Sequence, residues 1–226
     1  MATTKVVDIL DRASIILQDT SNVRFPNAEL LKFFNDAQRE VVLHRPDAKA
    51  TNSGSFDCVA GSKQSLPSTA LRLIDVVRNV GGRAITQIDR KILDETLPDW
   101  HNATADATKK VEHFVYDPAD PKHFYVYPAG EESFNLEIIY SEAPSDVSIS
   151  NFGTDTTTIS LDDIYANAVL DYMLYRAYQK DSEYAGNSER SMMHYQSFSN
   201  ALGIKTRSDS ASDPRPNFPD RNAQRM

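Results

Sequence analysis

The sequence predicts an α+β protein, in which helices from both ends of the chain form one helical bundle around an inserted antiparallel β subdomain. Apolar residues recur with a helical period near the two ends, and with a period of two from about residue 50 to residue 150. The last residues carry three prolines, which suit neither a helix interior nor a sheet interior. We therefore divide the chain into a helical hairpin (1–48), a β subdomain (49–155), C-terminal helices (156–204) and an extended C-terminal arm (205–226).

Two helices are predicted in the N-terminal hairpin. The first follows Thr3 and Thr4, either of which can cap it, and Asp8 favours the positive end of its dipole. The second begins near Pro26, a residue suited to a first helical turn, and ends before Pro46. We expect the two helices to run antiparallel.

Six stretches of alternating residues predict short strands in the middle of the chain: GSFDCVAG, LRLIDVVRNVGG, GRAITQID, KVEHFVYD, HFYVYPAG and FNLEIIYSE. Gly81-Gly82 predicts a tight hairpin between the second and third strands. We expect the last three strands to form a meander. A short helix that ends at Pro98 is expected between the two halves of the subdomain.

Helical periodicity returns at Ser160, which together with Asp163 resembles a capping box. The helix that follows is apolar around most of its circumference, which indicates burial on more than one side. Gly186-Asn187 ends this helix. We expect Gly203 to cap the C-terminus of a second helix, whose apolar stripe consists of Met192, Tyr195, Ser199 and Leu202.

Composition excludes several classes of protein. The net charge of −8, from 24 basic and 32 acidic residues, excludes a general nucleic-acid binder, which needs a cationic surface. One cysteine, Cys58, excludes an intramolecular disulfide and a cysteine-rich metal site. The N-terminus lacks the unbroken apolar run of a signal peptide, and no stretch approaches the ~18 apolar residues of a membrane span. We therefore expect a soluble protein made in a reducing cytoplasm.

Candidate catalytic residues fail on spacing. The sequence contains no GxSxG, GxxxxGK[ST] or GxGxxG motif, and its five histidines never occur as HxH or HxxxH. Cys58 lies in an alternating stretch, so we expect a half-buried strand position rather than a nucleophile. Asp117 and Asp120 precede prolines, a pattern that favours a turn over a metal site. The sequence therefore predicts no enzyme activity, no cofactor and no bound metal.

Two other features suggest protein contacts. Tyrosines spread around the helix after residue 160, and they either pack in the core or form a subunit interface, where tyrosine is enriched: Tyr165, Tyr172, Tyr175 and Tyr178. The C-terminal arm is stiffened by proline, which reduces the entropy lost on binding. Phe218 can fill a pocket, and three arginines can pair with carboxylates: Arg207, Arg215 and Arg221. A solvated tail is the alternative.

Two stretches of the chain carry recognisable packing motifs. In residues 5–48 a helix ends in a polar Asp-Thr turn, and an Arg-Phe-Pro sequence leads into a second helix that ends near His-Arg-Pro-Asp. In residues 160–203 a helix rich in alanine and tyrosine precedes one with a Tyr-x-x-Phe pair. Both stretches resemble the head-to-tail adaptor (connector) proteins of tailed bacteriophages, and the matching N-terminal residues are Arg24, Phe25, Glu29, Leu30, Asn35, Ala37, Arg39, Pro46 and Asp47.

The resemblance implies a structural virion protein that forms a ring, usually of twelve subunits, docked on the portal protein at the head-to-tail junction after assembly in the host cytoplasm. Such a ring extends the channel for DNA ejection and is the attachment platform for tail or nozzle proteins. The resemblance also implies that the C-terminal arm docks on the portal. Acidic side chains facing the lumen would let DNA pass without adhering.

Other functions remain open at this point. A stopper or tail-tube protein would have the same fold class. A receptor- or glycan-binding tail module would show a shallow aromatic groove near Trp100, Phe124 and Tyr125. A restriction-type nuclease would need Glu-x-Lys on a strand, whereas Glu137 is followed by two isoleucines.

Overall fold

A computed structural model describes residues 2–102, 110–130, 134–181, 183 and 186–212. Helices lie at both ends of this part of the chain, and strands lie between them in two sheets. The α+β fold class predicted from the sequence is therefore confirmed.

The described residues form five α-helices and two single turns of 3-10 helix. The α-helices are α1 (Val6–Ile16), α2 (Asn27–His44), α3 (Arg90–Thr96), α4 (Ala166–Lys180) and α5 (Asn187–Ser212). The 3-10 turns are Pro46–Lys49 and Asp163–Tyr165. The predicted short helix before Pro98 is α3, which begins behind an Asp89 side chain that accepts a hydrogen bond from the Lys91 N–H.

Seven strands form two sheets in the described part of the chain. They are β1 (Ala50–Cys58), β2 (Gly61–Ser65), β3 (Ala70–Asn79), β4 (Thr86–Gln87), β5 (His113–Val115), β6 (His123–Gly130) and β7 (Phe134–Glu142). One sheet has the order β1-β7-β3 and the other the order β2-β6-β5-β4. Pairing is antiparallel except between β4 and β5, which are parallel.

Strand partners differ from the prediction in two ways. The predicted meander is wrong, because β7 does not pair with β6 but forms the centre of the other sheet. Alternation of apolar and polar residues shows that one face of a strand is buried, but it does not show which sheet the strand joins. Both sheets have a buried face, so β7 fits either. The segment GSKQS was not predicted to be a strand because it lacks apolar residues, yet it forms β2 opposite β6.

The Gly81-Gly82 hairpin is confirmed, with the Asn79 N–H donating to the Arg83 carbonyl at 3.0 Å.

The chain divides into two compact units. The β unit contains Gln38–Val147 and Ile159–Asp162, and the helical unit contains Thr3–Ala37, Ser148–Thr158 and the described residues from Asp163 onward. The boundaries predicted from the sequence, at residues 48, 155 and 204, stay a prediction.

The β unit is built around one apolar core to which both sheets contribute. Its largest fully buried side chains are Phe124, Leu136 and Ile138. A buried amide also joins the two sheets: Asn79, at the end of β3, donates from Nδ2 to the Val111 carbonyl at 2.7 Å, and its Oδ1 accepts from the Val111 N–H at 2.8 Å. Val111 lies two residues before β5. The Asn79 side chain therefore links the end of β3, in one sheet, to the segment that enters β5, in the other sheet.

In the helical unit, α4 is the central element and packs against both α1 and α5. Its buried residues are Ala166, Ala168, Val169, Leu170, Tyr172, Met173, Leu174, Ala177 and Tyr178. This set occupies most of the helix circumference, in agreement with the burial on more than one side predicted from its apolar pattern.

Both predicted helix caps in this part of the chain are wrong. Lys5 occupies the N-cap position of α1 without a side-chain cap. The N–H groups of Thr3 and Thr4 instead donate to the Asp163 carboxylate at 2.9–3.0 Å. Ser160 does not form a box with Asp163, because its N–H and hydroxyl donate to Oε1 of Gln38. Backbone donation, from Thr4 first, holds the pKa of Asp163 well below its ordinary value of 3.8.

Candidate interaction surfaces

The loop between α1 and α2 is fixed by one carboxylate. Asp19 accepts hydrogen bonds from three successive backbone N–H groups, those of Val23, Arg24 and Phe25, at 3.1, 2.8 and 2.7 Å. These bonds, with the Phe25 N–H contributing most, lower the pKa of Asp19 from its ordinary value of 3.8. The polar turn and the Arg-Phe-Pro sequence are thus one structural motif.

The same loop contacts the C-terminal end of α4. The Phe25 side chain is buried, and Nζ of Lys180 lies 5.4 Å from its ring centroid. Lys180 also donates to Glu29 at 2.7 Å, and Arg24 forms an ion pair with Asp181. The motif residues therefore hold the N-terminal loop to α4, which is a packing role.

Replacing Asp19 by alanine is expected to lower the melting temperature by several degrees, since three N–H groups lose their acceptor. Asp11→Ala, at an exposed position of α1, is the matched control and should leave the melting temperature unchanged. Because folding lowers the pKa of Asp19, its contribution is present above pH 3.8 and is lost as the pH falls through the folded-state pKa. Equal melting temperatures for the two variants at neutral pH would contradict this role.

The four tyrosines lie largely inside their own subunit. Tyr165, Tyr172 and Tyr178 are buried, and Tyr175 is half-buried. The ring centroid of Tyr172 is 5.2 Å from that of Phe198, and that of Tyr175 is 5.1 Å from that of Tyr195. This burial favours the core-packing interpretation, and a contact with a second subunit stays a prediction.

Helix α5 runs further than the sequence predicts. Gly203 does not end it, since the helix continues to Ser212, so residues 205–212 are helical rather than extended. Nζ of Lys205 donates to the Asp209 carboxylate at 2.7 Å, an i,i+4 pair that contributes about 0.2–0.5 kcal/mol to the added turns. A glycine inside a helix costs about 1 kcal/mol, so a glycine alone does not end one.

Of the four residues predicted to bind a partner, the structure describes one. Arg207 is exposed on the last turns of α5 rather than on an extended arm. Arg215, Phe218 and Arg221 lie outside the described residues, so their grouping with Arg207 stays a prediction.

Candidate catalytic and metal-binding residues have structural partners. Burial raises the pKa of the Cys58 thiol to about 12, which removes the thiolate needed for nucleophilic attack. Oδ1 of Asp117 accepts from the Ala119 N–H and Asp120 pairs with His123, as a turn requires. Oγ of Ser62 lies 2.9 Å from Nδ1 of His101, but Ser62 is buried. No cluster of three metal-ligating side chains occurs among the described residues.

Among the described residues, two of the three aromatic side chains expected to line a glycan-binding groove are buried, and Tyr125 is half-buried. Phe124 is fully buried in the β core, and Trp100 is 5% exposed, with its indole N–H donating to Asp94. A cavity of about 210 Å³ lies beside Trp100, lined by Leu97, Tyr127 and Pro128 among others.

Within the described residues, none of the helices combines the length and the apolar character needed to cross a membrane.

A comparison with protein families matches the chain to the model of the SU10 adaptor protein family over residues 4–219. The chain belongs to the SU10 adaptor protein family. No curated protein matches the chain significantly. The family match extends through the β unit, which the resemblance seen in the sequence covered only in type.

Membership of the SU10 adaptor family makes the chain a bacteriophage adaptor, a viral structural protein. It implies interaction with portal and tail components and indicates the head-to-tail junction of the virion as its place. The adaptor motifs in residues 5–48 and 160–203 act through packing: Asp19 fixes the backbone of the loop, Phe25 and Glu29 contact Lys180 at the end of α4, and Leu30 and Ala37 are fully buried.

Sequence reasoning about this SU10 adaptor missed one surface, the outer edge of β1. Among the described residues, β1 pairs with β7 on one side only. The available signal was compositional, because Ala50–Cys58 contains no lysine, arginine or proline, the residues that commonly guard an edge strand.

Proposed function

We propose that the protein assembles into a head-to-tail adaptor ring, of twelve subunits, that docks on the portal protein of the virion. The match to the SU10 adaptor family over residues 4–219 carries this proposal. The ring extends the DNA channel for ejection and gives tail or nozzle proteins their attachment platform. It assembles from subunits made in the host cytoplasm.

The C-terminal part of the chain makes the contact with the portal. Arg207 is exposed on α5, which ends at Ser212. Arg215, Phe218 and Arg221 follow it in the sequence. Arginine and aromatic side chains contribute most of the affinity in many interfaces, because they form bidentate pairs and fill pockets. The portal surface would accordingly offer carboxylates to Arg207 and Arg221, and Arg215 and Phe218, which lie between them in the sequence, can contact the portal or a neighbouring subunit.

The negative balance suits a channel for DNA. With 32 acidic and 24 basic residues, a ring of these subunits carries a large negative charge, which repels phosphate and keeps the genome from adhering. Specific recognition of DNA is not part of this function.

Charge reversal on the arm tests the portal contact in the full chain. Arg207→Glu and Arg221→Glu are each expected to weaken binding to a purified portal ring roughly 30-fold, since a central arginine contributes about 2 kcal/mol. Arg225→Glu is the matched control, with the same change of charge at a position not assigned to the interface. Binding is measured by mass photometry or sedimentation over a titration of adaptor.

An equal loss of affinity in all three variants would show that only net charge matters and would contradict the assigned contacts. Absence of binding between the unmodified chain and the portal ring would contradict the proposed function itself.

A further inference from the structure

Among the described residues, β1 leaves one backbone edge of the β unit without a partner strand. No described residue hydrogen-bonds to β1 on the side opposite β7. The strand is nine residues long, and Asn52, Gly54, Ser55 and Asp57 are exposed. A strand of this length with unpaired N–H and C=O groups is a template for pairing with another chain.

The opposite edge of the same sheet is protected. There, the Ile85 N–H donates to the Val77 carbonyl at 3.2 Å, and β3 carries three irregularities of register. Arg72 and Arg78 add exposed charges to β3. Bulges, charges and covering segments are the usual protections of an edge strand. β1 has one irregularity of register, between Ser53 and Phe56, and the charge of Asp57, but no covering segment among the described residues. The difference between the two edges indicates that β1 is left open for a partner strand.

The two faces beside β1 specify what a partner strand must offer. On the inner face, Phe56 is half-buried at the border of the core, with its ring centroid 6.1 Å from that of Phe124. On the outer face, Asp57 accepts from the Asn135 amide and Glu137 pairs with Arg78, so this face is acidic and polar. A partner strand should therefore be apolar on one face and polar, with a basic residue, on the other.

Residues 213–218 of this chain, DPRPNF, have that pattern. In an extended strand, residues two apart share a face and a hydrogen-bonding edge. Pro214, Pro216 and Phe218 then share the apolar face, and Asp213, Arg215 and Asn217 share the polar face. Both prolines lack an N–H on the same edge, so the other edge keeps its donors and the proline edge is protected from further pairing.

We propose that residues 213–218 of one subunit pair as an added strand with the free edge of β1 in the neighbouring subunit, with Phe218 beside Phe56 and Arg215 beside Asp57. The proposal rests on the proposed ring, and it assigns Arg215 and Phe218 to the subunit contact while Arg207 and Arg221, on either side, contact the portal. Because α5 ends at Ser212, Phe218 lies at most about 20 Å from the end of the helix, at about 3.3 Å per residue, so the proposal requires β1 of the neighbouring subunit to lie within that distance.

Disulfide cross-linking of the full chain tests the pairing. In a Cys58→Ala background, Asp57→Cys is combined in turn with Asp213→Cys, Arg215→Cys or Asn217→Cys, so that the register need not be known. Pro214→Cys or Pro216→Cys with Asp57→Cys is the matched control, because these positions face the other side of the added strand. Cross-linking is carried out on the portal ring and read on a non-reducing gel.

At least one polar-face variant is expected to give a ladder of linked subunits, roughly tenfold more abundant than in the controls, because cysteines whose Cβ atoms point to opposite faces of the sheet do not bridge. Monomers with an internal disulfide, or monomers with free thiols, would each overturn the proposal while portal binding persists. If the unmodified chain does not bind the portal, the proposed function fails as well, so the two failures are distinguishable.

Moving the prolines to the other edge gives a second test without cysteines. The full chain with Pro214→Arg, Arg215→Pro, Pro216→Asn and Asn217→Pro keeps its composition but loses the N–H donors on the pairing edge. In the portal-bound ring, amides of Ala50–Cys58 are expected to exchange hydrogen at least about tenfold more slowly in the unmodified chain than in this variant. Equal exchange in the two chains would overturn the proposal.

Discussion

Replacing Phe198 by alanine is expected to lower the free energy of unfolding by about 3–5 kcal/mol, the usual cost of removing a fully buried phenylalanine. Phe198 is fully buried, and its ring centroid lies 5.2 Å from that of Tyr172 on α4. Among the side chains of α5 that the structure describes, only Ser191, Phe198 and Leu202 are buried. Phe198 and Leu202 are therefore the buried apolar side chains of the described part of this helix, and Phe198 is the larger of the two.

Urea denaturation of the unmodified chain and the variant measures the loss directly. Met193→Ala is the matched control, because Met193 lies on the same helix and is 60% exposed, and its cost should stay below about 0.5 kcal/mol. Hydrogen exchange of the α5 amides should accelerate in Phe198→Ala alone. Similar stabilities for the two variants would show that α5 is held by something other than this ring.

The sequence predicted that α5 exists but not which of its faces is buried. The expected stripe, built on Met192 and Tyr195, differs from the observed one, built on Ser191 and Phe198, by only part of a helical turn. Hydrophobicity ranks methionine above serine, yet Ser191 is buried because its hydroxyl donates to the Tyr175 carbonyl. Nδ1 of His194 likewise lies 2.9 Å from Oδ1 of Asp171 on α4. Polar partners on α4 decide the rotation, and a pattern of apolar residues does not contain them.

The sequence predicted structure correctly where the interacting residues are close together in the chain. It failed where the interacting residues are far apart in the chain. Gly81-Gly82 and Pro98 determine a hairpin and a helix end within a few residues. Asp163 looked like a helix cap, but it binds Thr3 and Thr4, far away in sequence. β7 could equally have continued a meander, because alternation carries no information about which strand lies beside it.

The functional surface was predictable to a similar degree. Motifs around Phe25 indicated the adaptor family because their packing depends on a specific loop, which Asp19 holds through three hydrogen bonds. The length of α5 was missed because Gly203 resembles a helix stop, although its backbone remains helical. The composition of Ala50–Cys58 was compatible with an open edge, but only the strand order places β1 outermost in its sheet.

Replacing Asn79 by alanine is expected to destabilise the β unit by roughly 2–4 kcal/mol, because two buried backbone groups of Val111 lose their partners together. Asn79 is 5% exposed and Val111 is fully buried, so water cannot easily replace the lost amide. The side chain also donates to the Arg83 carbonyl at 3.0 Å, within the hairpin that follows β3. Asn135→Ala is the matched control: its amide binds Ser55 and Asp57 at the exposed outer face, and its loss should cost less than about 1 kcal/mol.

Asn79→Asp separates the donor from the acceptor of the same side chain. The carboxylate still accepts from the Val111 N–H but faces the Val111 and Arg83 carbonyls without a proton to donate, so burial and these carbonyls should raise its pKa in the folded state. A group whose folded-state pKa is raised stabilises the protein at low pH and loses that contribution as the pH rises through the folded-state pKa. Asn79→Asp should therefore be closer in stability to the unmodified chain at about pH 4 than at pH 7, whereas the deficit of Asn79→Ala should not depend on pH. A deficit that is equal at both pH values in Asn79→Asp would show that the bond from Nδ2 to the Val111 carbonyl contributes little to joining the two sheets.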